Sequence, residues 1–219
     1  MLIMPIDFES QPDFLAQLQI TENLALTAIP ASYSGIQKPF MCNGANLAFK
    51  RDVYELVNGY QSHLHISSGE DVFLLEDLKK MNPRLIHYGL IRELIVKTKA
   101  VNTFNGLLKQ RIRWASKAKY SSNNINLFAG FIILAANLLF LALFVAILKK
   151  SVIIPYLSIF VLAKFVFDFL LLFLASNFLG RTKQIWWLIP FECIYWLYAL
   201  IVGTSSLFFK PNWKGKKIN

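Results

Sequence analysis

The sequence predicts an α/β soluble part followed by an α-helical transmembrane region of about three helices. Two observations predict it. Apolar residues make up 55% of the 219 positions, and they crowd into the stretch beyond Asn126. The charge divides at the same place: residues 1–126 hold 14 Lys and Arg against 11 Asp and Glu, net +3, whereas 127–219 hold 9 against 2, net +7. The first part has the make-up of an ordinary domain. In the second, nearly every charge stands outside the apolar runs.

Leu127 to Leu148 contains no charge and is long enough for a helix to cross about 30 Å of hydrocarbon. Val152 to Ser176 carries only Lys164 and Asp168, and Trp186 to Phe209 only Glu192. Lys149-Lys150 and Arg181-Thr182-Lys183 separate the runs as charged connections. Trp186, Trp187 and Trp213 stand at run ends, where indole rings favour the water interface. Residues 121–126, opened by Ser121-Ser122-Asn123-Asn124, read as a polar hinge, and 210–219 as a basic tail.

The basic excess gathers at span edges, which suits an anionic membrane surface and not nucleic acid. Cys42 and Cys193 fall one in each part, so no disulfide framework is expected. Met1 to Pro5 is too short for a signal-peptide core. The expected setting is therefore an integral, multi-pass membrane protein with its soluble part in the cytoplasm, in a bacterial inner membrane.

Within the soluble part, Leu2-Ile3-Met4 reads as a short strand ended by Pro5. Pro12 to Leu26 places apolar residues at helical spacing. Ala28 to Pro39, rich in Ser, Gly and Pro, reads as a loop. Met41 to Phe49 is a turn running into a strand, followed by a short helix to Val57 and a turn at Asn58-Gly59. A helix is expected from about Ser68 to Lys80, strands at Leu85–Tyr88 and Leu94–Thr98, and a basic interfacial helix over Thr103–Lys119.

Three segments could carry chemistry. Glu70-Asp71 opens a helix, where one carboxylate could act as a general base tuned by its neighbour and by the helix dipole. The same pair also fits an ordinary first turn, with Ser68 and Asp71 as a capping box. Gln110, Arg113 and Trp114 fall at i, i+3 and i+4 on one helix face. An amide, a guanidinium fork and an indole there suit a sugar diphosphate; Lys109, Arg113 and Lys117 would equally anchor the helix at headgroups. Cys42-Asn43-Gly44-Ala45-Asn46 allows close backbone approach to a ligand or makes a plain turn. His63, His65 and His87 find no carboxylate or thiol at metal-ligand spacing, so no metal site is expected.

Taken in order, Gly44-Ala45-Asn46, Glu70-Asp71 and Gln110 to Trp114, followed by apolar spans, resemble the membrane-bound family 2 glycosyltransferases, the group that includes cellulose, chitin and hyaluronan synthases and ceramide glucosyltransferases. The resemblance covers most of residues 1–120 and the layout of the spans. It implies the C-terminal half of a GT-A-like domain over 1–120. It also implies that Asp71, beside Glu70, deprotonates the acceptor hydroxyl. Gln110, Arg113 and Trp114, with Gly44 and Asn46, would lie near the acceptor and the leaving nucleoside diphosphate. The implied partners are a nucleotide-sugar donor, a lipid or glycan acceptor and the bilayer.

The resemblance also implies a divalent metal, Mg or Mn, held by an Asp-x-Asp pair in a nucleotide-binding half. This sequence has no Asp-x-Asp and no Gly-rich phosphate loop. Asp7 and Glu9 have the spacing of paired acids but not the surroundings. The metal ligands and the donor half are expected to lie outside this chain, which alone is expected to be inactive. A membrane-anchored remnant or partner subunit is the alternative, and a small transporter using Lys164, Asp168 and Glu192 a third. Three full crossings would place Lys210, Lys214, Lys216 and Lys217 opposite a cytoplasmic soluble part, against the positive-inside tendency. A re-entrant run or a further span would remove the conflict.

Overall fold

A computed structural model describes residues 1–61, 69–116, 124–208, 212–213 and 216–217. Two small sheets sit at its centre. β1 (Leu2–Ile3) lies between β3 (Leu47–Ala48), antiparallel to it, and β4 (His87–Tyr88), parallel to it. β2 (Ile6–Phe8) pairs in parallel with β5 (Val96–Thr98). β1 and β2 are one line of chain broken at Pro5, which has no N–H to give a ladder. Asn46 bridges the break: its backbone carbonyl accepts from Met4 N–H at 3.1 Å. The second strand, β2, is absent from the sequence reading because three residues with one buried acid show no clear alternation.

The first helix, α1 (Phe14–Gly35), begins on Asp13, whose Oδ1 accepts from Ala16 N–H at 2.9 Å. The loop expected over Ala28–Pro39 is mostly helix: α1 runs through Pro30 and ends at Gly35. An interior proline costs about 3 kcal/mol, and packing offsets it. Leu24 is fully buried with Leu172, Ala175 and Leu188, while Ala25 and Ala28 pack against the same cluster. Spacing within a segment does not report such distant partners.

α2 (Arg51–Leu56) is short, and α3 (Glu70–Met81) lies on the first sheet. Leu74, Leu75 and Leu78 of α3 bury against Met1, Ile3 and Ile86 to make the soluble core. α4 (Phe104–Ser116) is the expected basic helix; its continuation over 117–119 lies outside the described residues. His63, His65 and Ser68 also lie outside them.

Three long apolar helices follow: α5 (Asn124–Leu148), α6 (Ile154–Phe178) and α7 (Leu188–Phe208), the last preceded by a 3-10 segment, Thr182–Trp187. All three are long and apolar enough to cross a membrane. Residues 121–123 of the expected hinge lie outside the described residues, and Asn124 already begins α5. The tail has β6 (Asn212–Trp213) antiparallel to β7 (Lys216–Lys217).

Polar clasps join the soluble part to these helices. Both oxygens of buried Asp7 accept from Arg181 Nε, at 2.7 and 2.9 Å, and the same guanidinium reaches Ser10 Oγ and the Phe8 carbonyl. Gln184 donates to the Gln17 carbonyl and to Thr21 Oγ1. Inside the apolar bundle, Lys164 Nζ bonds Asp168 Oδ2 at 2.5 Å and Glu192 Oε2 at 2.7 Å.

Candidate active site

The site is built at the start of α3. Gly69 caps this helix with φ of 112°, a left-handed conformation that L side chains rarely adopt. The expected Ser68–Asp71 capping box lies outside the described residues, because Ser68 does. Asp71 reaches across to the turn before β3. Its Oδ2 accepts from Gly44 N–H at 2.9 Å. A Cβ at Gly44 would stand 3.1 Å from that oxygen, tighter than ordinary contact, so glycine lets the turn approach. Glu70 beside it is exposed.

Asn46 holds this turn in place. Its Nδ2 donates to the Pro5 carbonyl at 2.8 Å and the Leu94 carbonyl at 2.7 Å, and its side chain is buried. Asn46 therefore shapes the site through the loop, with its amide donors turned toward the protein. Asn43 tightens the same turn, its Oδ1 accepting from Ala45 N–H.

Arg113 comes from α4. It is half-buried, and burial pulls its guanidinium below the ordinary value; the Asp71 carboxylate opposes this and is the charge facing it. Three segments far apart in sequence, at Gly44, Asp71 and Arg113, thus converge. Tyr60 joins them. Burial lifts its phenol above the ordinary value, and Tyr54, Glu70, Asp71 and Cys42 add to the rise, so the hydroxyl stays a neutral donor. The sequence reading missed Tyr60. Its only signal was the Asn58-Gly59 turn, where both residues take positive φ and the Tyr54 ring covers Gly59.

Gln110, Arg113 and Trp114 keep the expected i, i+3 and i+4 spacing on α4, and Arg111 joins them as the i, i+3 neighbour of Trp114. The buried Arg111 guanidinium stacks over the Trp114 ring at 4.2 Å and donates to Gln110 Oε1. Its Nε and Nη2 both reach Glu22 Oε2, at 2.9 and 2.5 Å. Burial works against this charge, and Glu22 more than restores it, leaving Arg111 above its ordinary value. Gln110 and Trp114 are therefore joined through Arg111, while Arg113 turns toward Asp71. Glu22 and Arg111 were not singled out in the sequence; a lone acid on the apolar Phe14–Leu26 stretch was the available sign.

A divalent metal does not fit the residues present. Among the described residues no three of His, Cys, Asp or Glu gather as ligands. Asp7, half of the acid pair at Asp7 and Glu9, is bound by Arg181.

Searches against curated proteins and against solved structures found no significant match. The family model described as glycosyl transferase family group 2 matches residues 4–204, from just before β2 through most of α7. That match takes in the Gly44 turn, the Glu70-Asp71 helix start, the α4 arginines and the apolar helices together, and the chain belongs to glycosyl transferase family group 2.

Proposed function

We propose that this chain is the acceptor-side and membrane portion of an inverting glycosyltransferase that moves a sugar from a nucleotide-sugar donor to a lipid or polysaccharide acceptor. One observation carries the reading: the Asp71 carboxylate is oriented by Gly44 N–H and faced by Arg113. Inversion needs a single base behind the acceptor oxygen and positive charge near the departing diphosphate. Asp71 takes the acceptor proton as that oxygen bonds the anomeric carbon, while the bond from this carbon to the diphosphate breaks. Arg113 stands where it can meet the negative charge that leaves. Gln110 and Trp114 support that helix turn, and Glu70 lies at the mouth.

The Asp-x-Asp pair of the family is not among the 219 residues. The nucleotide sugar and any Mg or Mn are therefore assigned to a donor half outside this sequence, and the chain alone is inactive. The same absence favours a second reading, a catalytically silent membrane-anchored partner subunit. Either reading takes the protein as multi-pass in a bacterial inner membrane with its soluble part cytoplasmic, and three helices long and apolar enough to cross a membrane support the membrane part of it.

The test joins the donor half to this chain and measures sugar transfer and nucleoside diphosphate binding for Asp71→Asn. Loss of a general base costs about a hundredfold to ten-thousandfold, with binding retained. A near-normal rate would return Glu70-Asp71 to a helix-start role and favour the silent subunit.

A further inference from the structure

The connection between α6 and α7 marks the level at which the apolar helices leave the hydrocarbon. α6 has 25 residues, about 37 Å at 1.5 Å each, against about 30 Å of hydrocarbon. Asn177, next to its last residue, therefore reaches the headgroup layer when α6 crosses. Two parts of the soluble region touch this level. Arg92, between β4 and β5, donates from Nη2 to the Asn177 carbonyl at 2.8 Å. Phe14, the first residue of α1, sets its ring 5.7 Å from that of Trp187, which directly precedes α7.

Apolar side chains stand exposed beside both contacts. Leu90 is 55% exposed and Ile91 52%, and Phe14 and Trp186 are exposed as well. Leu56 on α2 and Met81 at the end of α3 are as open, at 63% and 51%, but single exposed apolar residues need no explanation. Leu90 and Ile91 differ from these: they are adjacent, and they directly precede a side chain fixed to the end of a spanning helix. The charge around them is of one sign. Residues 89–99 hold exposed Arg92, Lys97 and Lys99 against Glu93, and Lys183 is exposed in the α6–α7 connection. Apolar side chains flanked by cations, with indoles at the same level, suit the surface of an anionic bilayer. A second copy meeting this patch with its own would bring like charges together.

We propose that Leu90 and Ile91, together with Phe14 and Trp186, enter the headgroup layer of an anionic bilayer, where Arg92 and Lys183 meet lipid phosphates. The soluble part is then seated on the membrane by its own surface, and its candidate site is kept at one height above the lipid. The inference uses the membrane placement and is independent of the transfer reaction.

The full chain is placed in phosphatidylglycerol vesicles that contain a phospholipid with a photoactivatable diazirine close to its glycerol. After irradiation, labelled residues are mapped by mass spectrometry. The expected result is labelling at Phe14, Leu90 and Ile91 and at the ends of α6, with none at Leu56 or Met81. Arg92→Gln lowers the labelling of Leu90 and Ile91 about fivefold, the weight of one cation at an anionic surface, and leaves α6 unchanged. Phosphatidylcholine in place of phosphatidylglycerol acts in the same direction. Labelling of α6 without Leu90 and Ile91, or equal labelling of Leu56 and Leu90, overturns the seating. Labelling indifferent to both Arg92→Gln and the lipid exchange overturns the anionic surface as the partner. Loss of the Leu90 and Ile91 labels as the protein-to-lipid ratio rises overturns it in favour of contact between copies. Absence of label from α6 as well removes the membrane placement beneath the proposal. Asp71→Asn leaves the pattern as it was, so the seating and the transfer reaction fail separately.

Discussion

Arg111 and Arg113 stand two residues apart on α4 and serve opposite ends. Arg111 is buried, stacked on Trp114, and held by Glu22 and Gln110. Arg113 is half-buried; burial draws its guanidinium below the ordinary value, and the Asp71 carboxylate pulls the other way. A half-buried guanidinium gains from an anion brought close to it. The comparison teaches that the two arginines of this segment face different partners, Arg111 toward Glu22 and Arg113 toward Asp71, and under the proposed function only the second works on substrate.

The largest stability effect is expected on the supporting side. Arg111→Met leaves Glu22 as an uncompensated buried charge, a loss of about 3–5 kcal/mol. Adding Glu22→Gln recovers much of it. Thermal unfolding of the three proteins in detergent checks this, and a double variant no better than the single one breaks the assignment of Arg111 as support.

A second supporting cation lies in the apolar bundle. Lys164 is bonded by Asp168 and Glu192 on two helices. A lone charge at mid-bilayer costs at least about 2.5–3.5 kcal/mol on insertion scales. Lys164→Leu alone strands two carboxylates, so it is expected to harm insertion more than Lys164→Leu combined with Asp168→Leu and Glu192→Gln. Protease protection in vesicles measures this. Additive damage would mean that the three side chains do not act as a unit.

The smallest effect is a pH dependence in the soluble core, away from both arginines. Burial pushes the Tyr88 phenol up to about 12. The folded state holds that proton more tightly than the unfolded one, so its stabilising contribution is whole below about pH 10 and is lost as pH rises toward 12. Tyr88→Phe should flatten that alkaline loss in a denaturant titration and change nothing near neutrality.

Much of this layout was legible in the sequence, and the reason is local. The apolar runs define α5, α6 and α7 to within a few residues, because length and lack of charge suffice. Glu70-Asp71 opens a helix as acidic pairs do, and Asn58-Gly59 turns the chain. The remainder depends on partners far along the chain. Glu22 meets Arg111 across 89 positions and Asp7 meets Arg181 across 174, and no periodicity records either. Pro30 reads as a stop until Leu24 is seen packed against Leu172 and Leu188. The site shows the same division. Its acid and its arginine were visible as residues, but the hydrogen bond from Gly44 that aims Asp71, and the neighbouring Tyr60, depend on the fold.

The most direct test of the split in α4 is a paired substitution, Arg111→Lys against Arg113→Lys, each in the protein complemented by its donor half. Lysine keeps the charge and loses the planar fork. Sugar transfer per folded molecule and the melting temperature are measured together. Arg113→Lys is expected to lower transfer by about a hundredfold, as loss of one transition-state donor does, while melting stays unchanged. Arg111→Lys is expected to lower melting while the folded fraction keeps its rate. The reverse pattern, or equal mild effects at both positions, would contradict the division between a supporting and a working arginine.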